Sequence, residues 1–369
     1  MLRRAQLAGQ WVFLRVESLF NLAFGDRLNP LYYLGPIAYF MFWIVAVSGL
    51  YLYAFFETGV AEAYDSVEHL TREQWYLGGV MRSLHRYASD GMVLTMLLHM
   101  ARHFTFDRYR SFRWFSWMSG IVLLWLTYAS GVNGYMLPWD RLAQFVVVAT
   151  AEWFDALPMF KGALIRNFIF EEAVSDRLFS LLSFIHIGLP LAVLAALWIH
   201  TQRVPRARTS PPAPIAVTLV VALVALSLVK PAVSLEHADL GVAVASIGFD
   251  WFYLTIYPLL YTWSPAEVWL LAGGATLAAL LLPWLPPKLG WRKARVFHLM
   301  VHPDNRIVAA REGETILDAG LREGLALPFE CRNGGCGVCK GTILYGAIDH
   351  GAHQASVLSE QEKREGKAL

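Results

Sequence analysis

Runs of apolar residues long enough to cross a hydrocarbon layer dominate the first three quarters of the chain. They cover 31–56, 114–139, 178–202, 209–229 and 268–287, each near or above the roughly 20 residues with which a helix spans a bilayer while pairing its own backbone groups. A sixth run, 80–104, is long enough but is broken by Arg82, Arg86, Asp90, Arg102 and three histidines. Polar groups at that depth face a bundle interior and mark functional positions. Beyond Pro286-Pro287 the pattern becomes that of a small soluble unit. Strand-like stretches at 296–301 and 306–310, a short helix over 315–323, a cysteine-bearing loop and a strand over 342–345 are expected there. The pattern therefore predicts a membrane all-α bundle of six spans with a C-terminal α+β unit.

Charge orients the bundle, because short cytoplasmic loops collect Lys and Arg. The N-terminus (Arg3, Arg4, Arg15), the second loop (Arg102, Arg108, Arg110, Arg113), the fourth (Arg203, Arg206, Arg208) and the stretch after the sixth span (Lys288, Arg292, Lys293, Arg295) are basic. The first loop (Glu57, Glu62, Asp65, Glu68) and the fifth (Glu236, Asp239, Asp250) are acidic. The expected placement is the inner, cytoplasmic membrane with both ends of the chain in the cytoplasm. Residues 1–30 lack the apolar core of a cleavable signal. With Trp11, Phe13, Leu14, Leu19 and Phe20 among polar residues, they read either as an amphipathic helix at the cytoplasmic interface or as a frayed leader.

Composition agrees with a membrane protein: mean hydropathy is +0.42 and charged residues make up 16% of 369, against about 25% in soluble domains. The 31 basic and 29 acidic side chains leave a net +2, so no basic excess exists to bind nucleic acid. Residues 297–369 carry 8 basic and 10 acidic side chains, which makes the tail a separate, mildly acidic module.

Candidate chemistry starts with His85 and His99 on the second span and His186 and His200 on the fourth, each pair fourteen residues apart. Fourteen helical residues rise about 21 Å and return to within about 40° of one face, so each helix presents one imidazole near each membrane surface. Facing helices would give two bis-imidazole sites, His85 with His186 and His99 with His200, each closing an iron to small ligands and suiting it to electron transfer. A single intramembrane histidine is commonly a hydrogen-bonded packing residue; two pairs at one interval favour ligation. Gly35 and Gly49 on the first span, and Gly120 and Gly134 on the third, repeat the interval. They suit either the approach of a flat macrocycle or close helix packing. Arg82 and Arg102, three residues outside the histidines, suit haem propionates or membrane-edge snorkelling. Asp90 is placed to pair with Arg86 one turn away.

The second span from Ser83-Leu84-His85-Arg86-Tyr87 through His99, the four glycines, the later histidine pair and Gly134-Tyr135-Met136-Leu137-Pro138-Trp139 resemble the cytochrome b subunit of bc-type quinol oxidoreductases over roughly residues 1–287. The resemblance implies two b haems, the outer on His85 and His186 and the inner on His99 and His200, with Arg82 and Arg102 as propionate partners. It also implies an outer quinol site in which Tyr135, Pro138 and Trp139 take part, with Asp250 of Phe249-Asp250-Trp251-Phe252-Tyr253 standing for the glutamate of a Pro-Glu-Trp-Tyr segment. Asp250 would accept a quinol proton, or it caps a helix. Asp140-Arg141 replaces the usual Gly-Gln, and Val146 a usual glycine, so this outer pocket is expected to be reshaped.

Cys331, Cys336 and Cys339 have the C-x4-C-x2-C spacing of plant-type two-iron two-sulfur ferredoxins. Three cysteines within nine positions are a ligand cluster rather than a disulfide framework, and a zinc site would ask for a second close pair. Their flanks, Leu327-Pro328-Phe329-Glu330 and Lys340-Gly341-Thr342, resemble ferredoxin domains fused to oxygenase reductases. In that family a fourth cysteine follows about thirty residues after the third. It is expected beyond Leu369, with His350 and His353 as the alternative ligands.

Four segments follow: an interfacial 1–30, a di-haem core 31–210, two further spans with an outer quinone-site loop 211–290, and a β-grasp ferredoxin-like 291–369. The expected function is membrane electron transfer between a cytoplasmic cluster, two b haems and quinone or quinol. The expected partners are membrane lipid, a cytoplasmic electron donor or acceptor, and other redox subunits such as an outer cytochrome c or Rieske-type protein. A quinol-oxidising, bifurcating cytochrome b and a relay between partner subunits are the competing readings.

Overall fold

A computed structural model describes residues 2–169, 174–204, 207–242, 244, 246–248, 252–285 and 295–369. Its helices run α1 (Leu2–Phe24), α2 (Leu34–Phe55), α3 (Glu62–Arg72), α4 (Val80–Thr105), α5 (Trp114–Gly134), α6 (Arg141–Asp155), α7 (Asp176–Gln202), α8 (Ala213–Val229), the single turn α9 (Leu259–Thr262) and α10 (Pro265–Leu281). Leu34–Phe55, Ser111–Gly134, Asp176–Gln202 and Pro265–Trp284 are long and apolar enough to cross a membrane. The 26 residues of α4 rise about 39 Å, with Arg82, Arg86 and Arg102 each paired to a carboxylate, and the shorter apolar α8, of 17 residues, packs against α4.

Packing groups the spans by chemistry: α2 lies along α4, and α5 along α7. Each helix bearing two histidines is thus flanked by one bearing two glycines. The core between them divides into two layers. One, toward His85 and His186, gathers Val132, Met136, Trp139, Val146, Phe179 and Tyr253. The other, at mid-bundle, gathers Ile37, Met41, Phe42, Met92, Leu123 and Val193.

Local rules set the ends of the elements. Asp140 caps α6, accepting from the Ala143 amide at 2.8 Å, and its second oxygen accepts from Leu235 N at 2.8 Å. Arg141 donates from its amide to Glu236 O and pairs with the Glu236 carboxylate at 2.8 Å. The Asp140-Arg141 departure therefore fastens the segment after α8 onto α6. Val146 is fully buried in the core. At the opposite end of the bundle α1 lies on α4: Gln6 Nε2 donates to Phe104 O at 3.0 Å, and buried Glu17 pairs with Arg102 at 2.7 Å. Trp11, Leu14, Leu19 and Leu22 stay exposed.

In the C-terminal unit β1 (Val296–Val301) and β2 (Arg306–Arg311) form an antiparallel hairpin, Val301 opposite Arg306. Helix α11 (Ile316–Arg322), capped by Thr315, closes over it with Val308, Ala310, Ala319 and Leu325 as a small core. After α12 (Glu360–Arg364), β4 (Lys367–Ala368) pairs antiparallel with β3 (Gly341–Thr342). The two ribbons are separate. The strand expected over 342–345 is shorter, because one further bond, Ile343 N to Gly366 O, is followed by Gly346 at φ +95, which turns the chain away.

Candidate functional site

The histidines and glycines of the four paired helices meet one to one. A Cβ built on Gly49 would come within 2.8 Å of the His85 ring, one on Gly134 within 2.9 Å of His186, one on Gly35 within 3.1 Å of His99 and one on Gly120 within 3.8 Å of His200. Each glycine faces an imidazole edge, and at Gly49, Gly134 and Gly35 the approach is close enough that a side chain must be absent or displace the ring.

The ring nitrogens are oriented by the same helices. His85 Nδ1 donates to Val45 O at 2.9 Å and His186 Nδ1 to Ser130 O at 3.1 Å; both carbonyls lie one turn before the facing glycine. His200 Nδ1 lies 2.8 Å from Ser119 Oγ, whose own proton is directed to Phe115 O, so the imidazole is the donor. Donation from Nδ1 fixes the tautomer and leaves Nε2 with its lone pair, the usual outer support of a ligating imidazole. The His85 and His186 rings lie 6.0 Å apart between centroids. Two imidazoles sharing an iron at metal–nitrogen distances of about 2 Å have that separation, so the pair fits a six-coordinate haem. His99 lies against Gly35 and His200 against Gly120.

Both flanking arginines have protein partners. Arg82 donates to Thr71, to Ser234 at 2.7 Å and toward Glu68 at 3.4 Å, while Arg102 is held by Glu17. Asp90 accepts from Arg86 at 2.5 Å one turn away, and the Arg86 guanidinium lies 4.7 Å over the Tyr135 ring.

In the cysteine loop, Cys331 Sγ accepts from Gly335 N at 3.4 Å. Cys331 and Cys336 are within hydrogen-bond reach of each other, and Cys339 feels both thiols. Arg332, Gly334 and Gly337 adopt positive φ, which turns amides toward sulfur. The loop packs on the segment 352–354, where Gln354 N donates to Gly334 O at 2.9 Å. His353 Nδ1 is directed to Gly351 O at 2.7 Å. Among the described residues no three His, Cys, Asp or Glu side chains converge on a single point. Cys331, Cys336 and Cys339 have the residue type and spacing that a two-iron cluster asks of three of its four ligands.

The family model for Cytochrome b/b6/petB matches residues 19–206, and that for the 2Fe-2S iron-sulfur cluster binding domain matches residues 299–369. Cytochrome b6 of Gracilaria tenuistipitata var. liui is 30% identical over 178 residues, which cover 47% of this chain and 81% of that protein. The chain belongs to the cytochrome b family. Cytochrome b6 of Synechococcus sp. (strain JA-3-3Ab) is 32% identical over 163 residues, 43% of this chain and 75% of that one. A solved chain of a hyperthermophilic respiratory Complex III shares the fold, with TM-score 0.58 and 20% identity over 75% of this chain and 82% of that chain. The protein is thus a multi-pass membrane cytochrome b with a 2Fe-2S ferredoxin domain fused behind it, built for electron transport.

The remaining residues of interest in this cytochrome b lie toward His85 and His186. Tyr135 packs 6.1 Å from the fully buried Tyr253, half-buried Pro138 follows, and Trp139 is held at φ +50 against Phe179. Asp250 lies outside the described residues. Near this end a cavity of about 270 Å³ is lined by Phe145, Ile247, Tyr257, Pro258 and Tyr261. Burial pushes the Tyr257 phenol well above its usual range, and its hydroxyl bonds Thr150 at 2.7 Å.

Sequence reasoning missed Val45, Ser119 and Ser130. Two of them act through main-chain carbonyls, to which residue type is no guide. Ser119 had a signal, since Ser48-Gly49 and Ser119-Gly120 are the same dipeptide, and Ser48 Oγ also lies 3.3 Å from His85 Nδ1.

Proposed function

We propose that this chain is a subunit of a larger quinone/quinol oxidoreductase that passes electrons between a cytoplasmic 2Fe-2S cluster, two transmembrane b haems and membrane quinone. The observation that carries this reading is the His85–His186 pair, 6.0 Å between rings, with each Nδ1 held by a carbonyl. His99 and His200, at the same fourteen-residue interval and each against a glycine of the neighbouring helix, would supply the second site. Bound there, haem and cluster supply one-electron chemistry.

The protein groups have separate tasks in this reading. His85 with His186 and His99 with His200 would hold the two haem irons and leave no position for other ligands. Arg82 and Arg102, with five N–H donors each, serve propionates beside Glu68 and Glu17, and Gly35, Gly49, Gly120 and Gly134 leave room at the macrocycle edge. Cys331, Cys336 and Cys339 hold the cluster. In this reading the His99 end, the N-terminus and the ferredoxin domain lie in the cytoplasm, which the basic loops support. Core 31–210 holds the haems, 211–290 completes the quinone region, and 291–369 forms the ferredoxin unit behind the interfacial 1–30. A cytoplasmic donor or acceptor, an outer cytochrome c or Rieske-type subunit and lipid are the partners.

The cavity beside Tyr257 favours a second reading, quinol oxidation at the His85 end. In that reading Asp250 would accept the quinol proton, with Tyr135, Pro138 and Trp139 as further residues of the outer site.

Haem and iron counts with a spectroscopic redox titration of the purified chain test the first reading, which expects two six-coordinate haems and one cluster. Fewer haems would refute it. Reduction of quinone by the isolated chain excludes a bare relay, and inhibition of haem reduction by an outer-site quinol analogue supports the second reading.

A further inference from the structure

The loop 106–113 between α4 and α5 meets the cysteine loop through two arginines. Arg108 Nη2 donates to Asn333 O at 2.8 Å and toward Ala352 O at 3.4 Å. Arg113 Nη2 donates to Arg332 O at 2.7 Å and to Cys331 O at 3.1 Å. The Arg332 guanidinium stacks 3.7 Å over Phe112 and pairs with Asp318. These contacts complement the loop's chemistry. Amides turned toward sulfur leave carbonyls pointing outward, and buried carbonyls need donors.

The platform is itself braced. Arg110 pairs with Asp107 at 2.9 Å and donates to Leu285 O at 2.6 Å, and Gln6 of α1 reaches Asp107 at 3.1 Å. From the platform a connected path leads into the bundle. Arg108 O accepts from His103 Nδ1 at 3.2 Å, and the His103 ring lies 4.4 Å from the His99 ring. His103 stands one turn beyond His99, so α4 presents both imidazoles on one face.

We infer that Arg108 and Arg113 are a latch that seats the cysteine loop on the bundle, and that His103 joins this latch to His99 as the electron bridge between the ferredoxin domain and the nearer haem site. The inference rests on the proposed electron-transfer function and adds the residues that make the fusion conduct within one chain. One electron leaves the reduced site and arrives at the oxidised one; no bond forms or breaks and no proton moves.

The test uses the full chain in detergent, as wild type, as Arg108→Gln with Arg113→Gln, and as His103→Leu. Trypsin cleavage after Arg332 reads the latch without any redox chemistry, and rapid-mixing spectroscopy reads the cluster-to-haem rate. Loss of charge-assisted bonds predicts cleavage faster by about tenfold or more in the double variant, with a comparable fall in rate. His103→Leu is expected to leave cleavage unchanged and slow transfer; if that variant loses haem, His103→Asn, which keeps the N–H toward Arg108 O, takes its place and should retain only part of the rate. Unchanged cleavage in the double variant overturns the latch, and an unchanged rate in the His103 variants overturns the bridge. A wild-type chain without two haems and a cluster would instead defeat the electron-transfer reading, while cleavage still reports on the latch.

Discussion

At the His85–His186 end both imidazoles lean on main-chain carbonyls, Val45 and Ser130, and press into tight glycine gaps. At the other end His200 leans on the Ser119 hydroxyl, Gly120 leaves 3.8 Å, and His99 stands beside a second imidazole, His103. Both ends have the same fourteen-residue spacing, yet the shorter bonds at the first end go to backbone, with Ser48 Oγ a longer 3.3 Å from His85 Nδ1, and at the second His200 leans on a side chain. A carbonyl keeps its place whatever residue carries it, so exchanging the Val45 or Ser130 side chain leaves those bonds in place. A hydroxyl and a ring can be exchanged, so the second end is adjustable, and it is there that the ferredoxin domain docks.

The largest expected effect would break the comparison outright. His186→Ala and His200→Ala should each remove one of the two proposed haems, measured as halved pigment with the spectrum of the other site intact. If either variant keeps both, the ends are not separate sites. Glycine substitutions sharpen the contrast. Gly49→Ala and Gly134→Ala force a Cβ to within 2.8 and 2.9 Å of a ring and should cost about 1–3 kcal/mol, as overpacked cores do. Gly120→Ala, at ordinary contact distance, should leave the thermal midpoint of pigment loss unchanged. Equal losses at all three positions would show that the gaps do not differ.

A smaller effect is expected from Ser119→Ala, which removes the acceptor of His200 and should weaken retention at that site about tenfold, measured by haem competition. No single side-chain deletion can do the same to His85 through Val45. The smallest effect concerns the docked domain. Hydrogen bonds from Arg322 and from the Arg311 amide hold the Glu314 carboxyl down at about 2. A carboxyl lowered on folding stabilises above its unfolded value, and the gain is lost as pH falls from about 5 toward 2. Glu314→Gln should flatten the acid dependence of the C-terminal unit's melting by a modest amount, since the pair is partly open to solvent.

The sequence by itself determined the spans, the histidine and glycine intervals and the cysteine loop, because hydropathy and spacing along a regular helix are local and translate directly into position. It also foresaw the Arg86–Asp90 pair, which needs only one turn of helix. Tertiary structure alone decided which glycine receives which imidazole, that Arg82 and Arg102 are held by Glu68 and Glu17, that Asp140-Arg141 ties the segment after α8 to α6, and that Arg108 and Arg113 meet Asn333 and Cys331. These contacts join residues tens to hundreds of positions apart, several through main-chain atoms that every residue shares. No pattern of side-chain types records them, and only the packed chain brings them together.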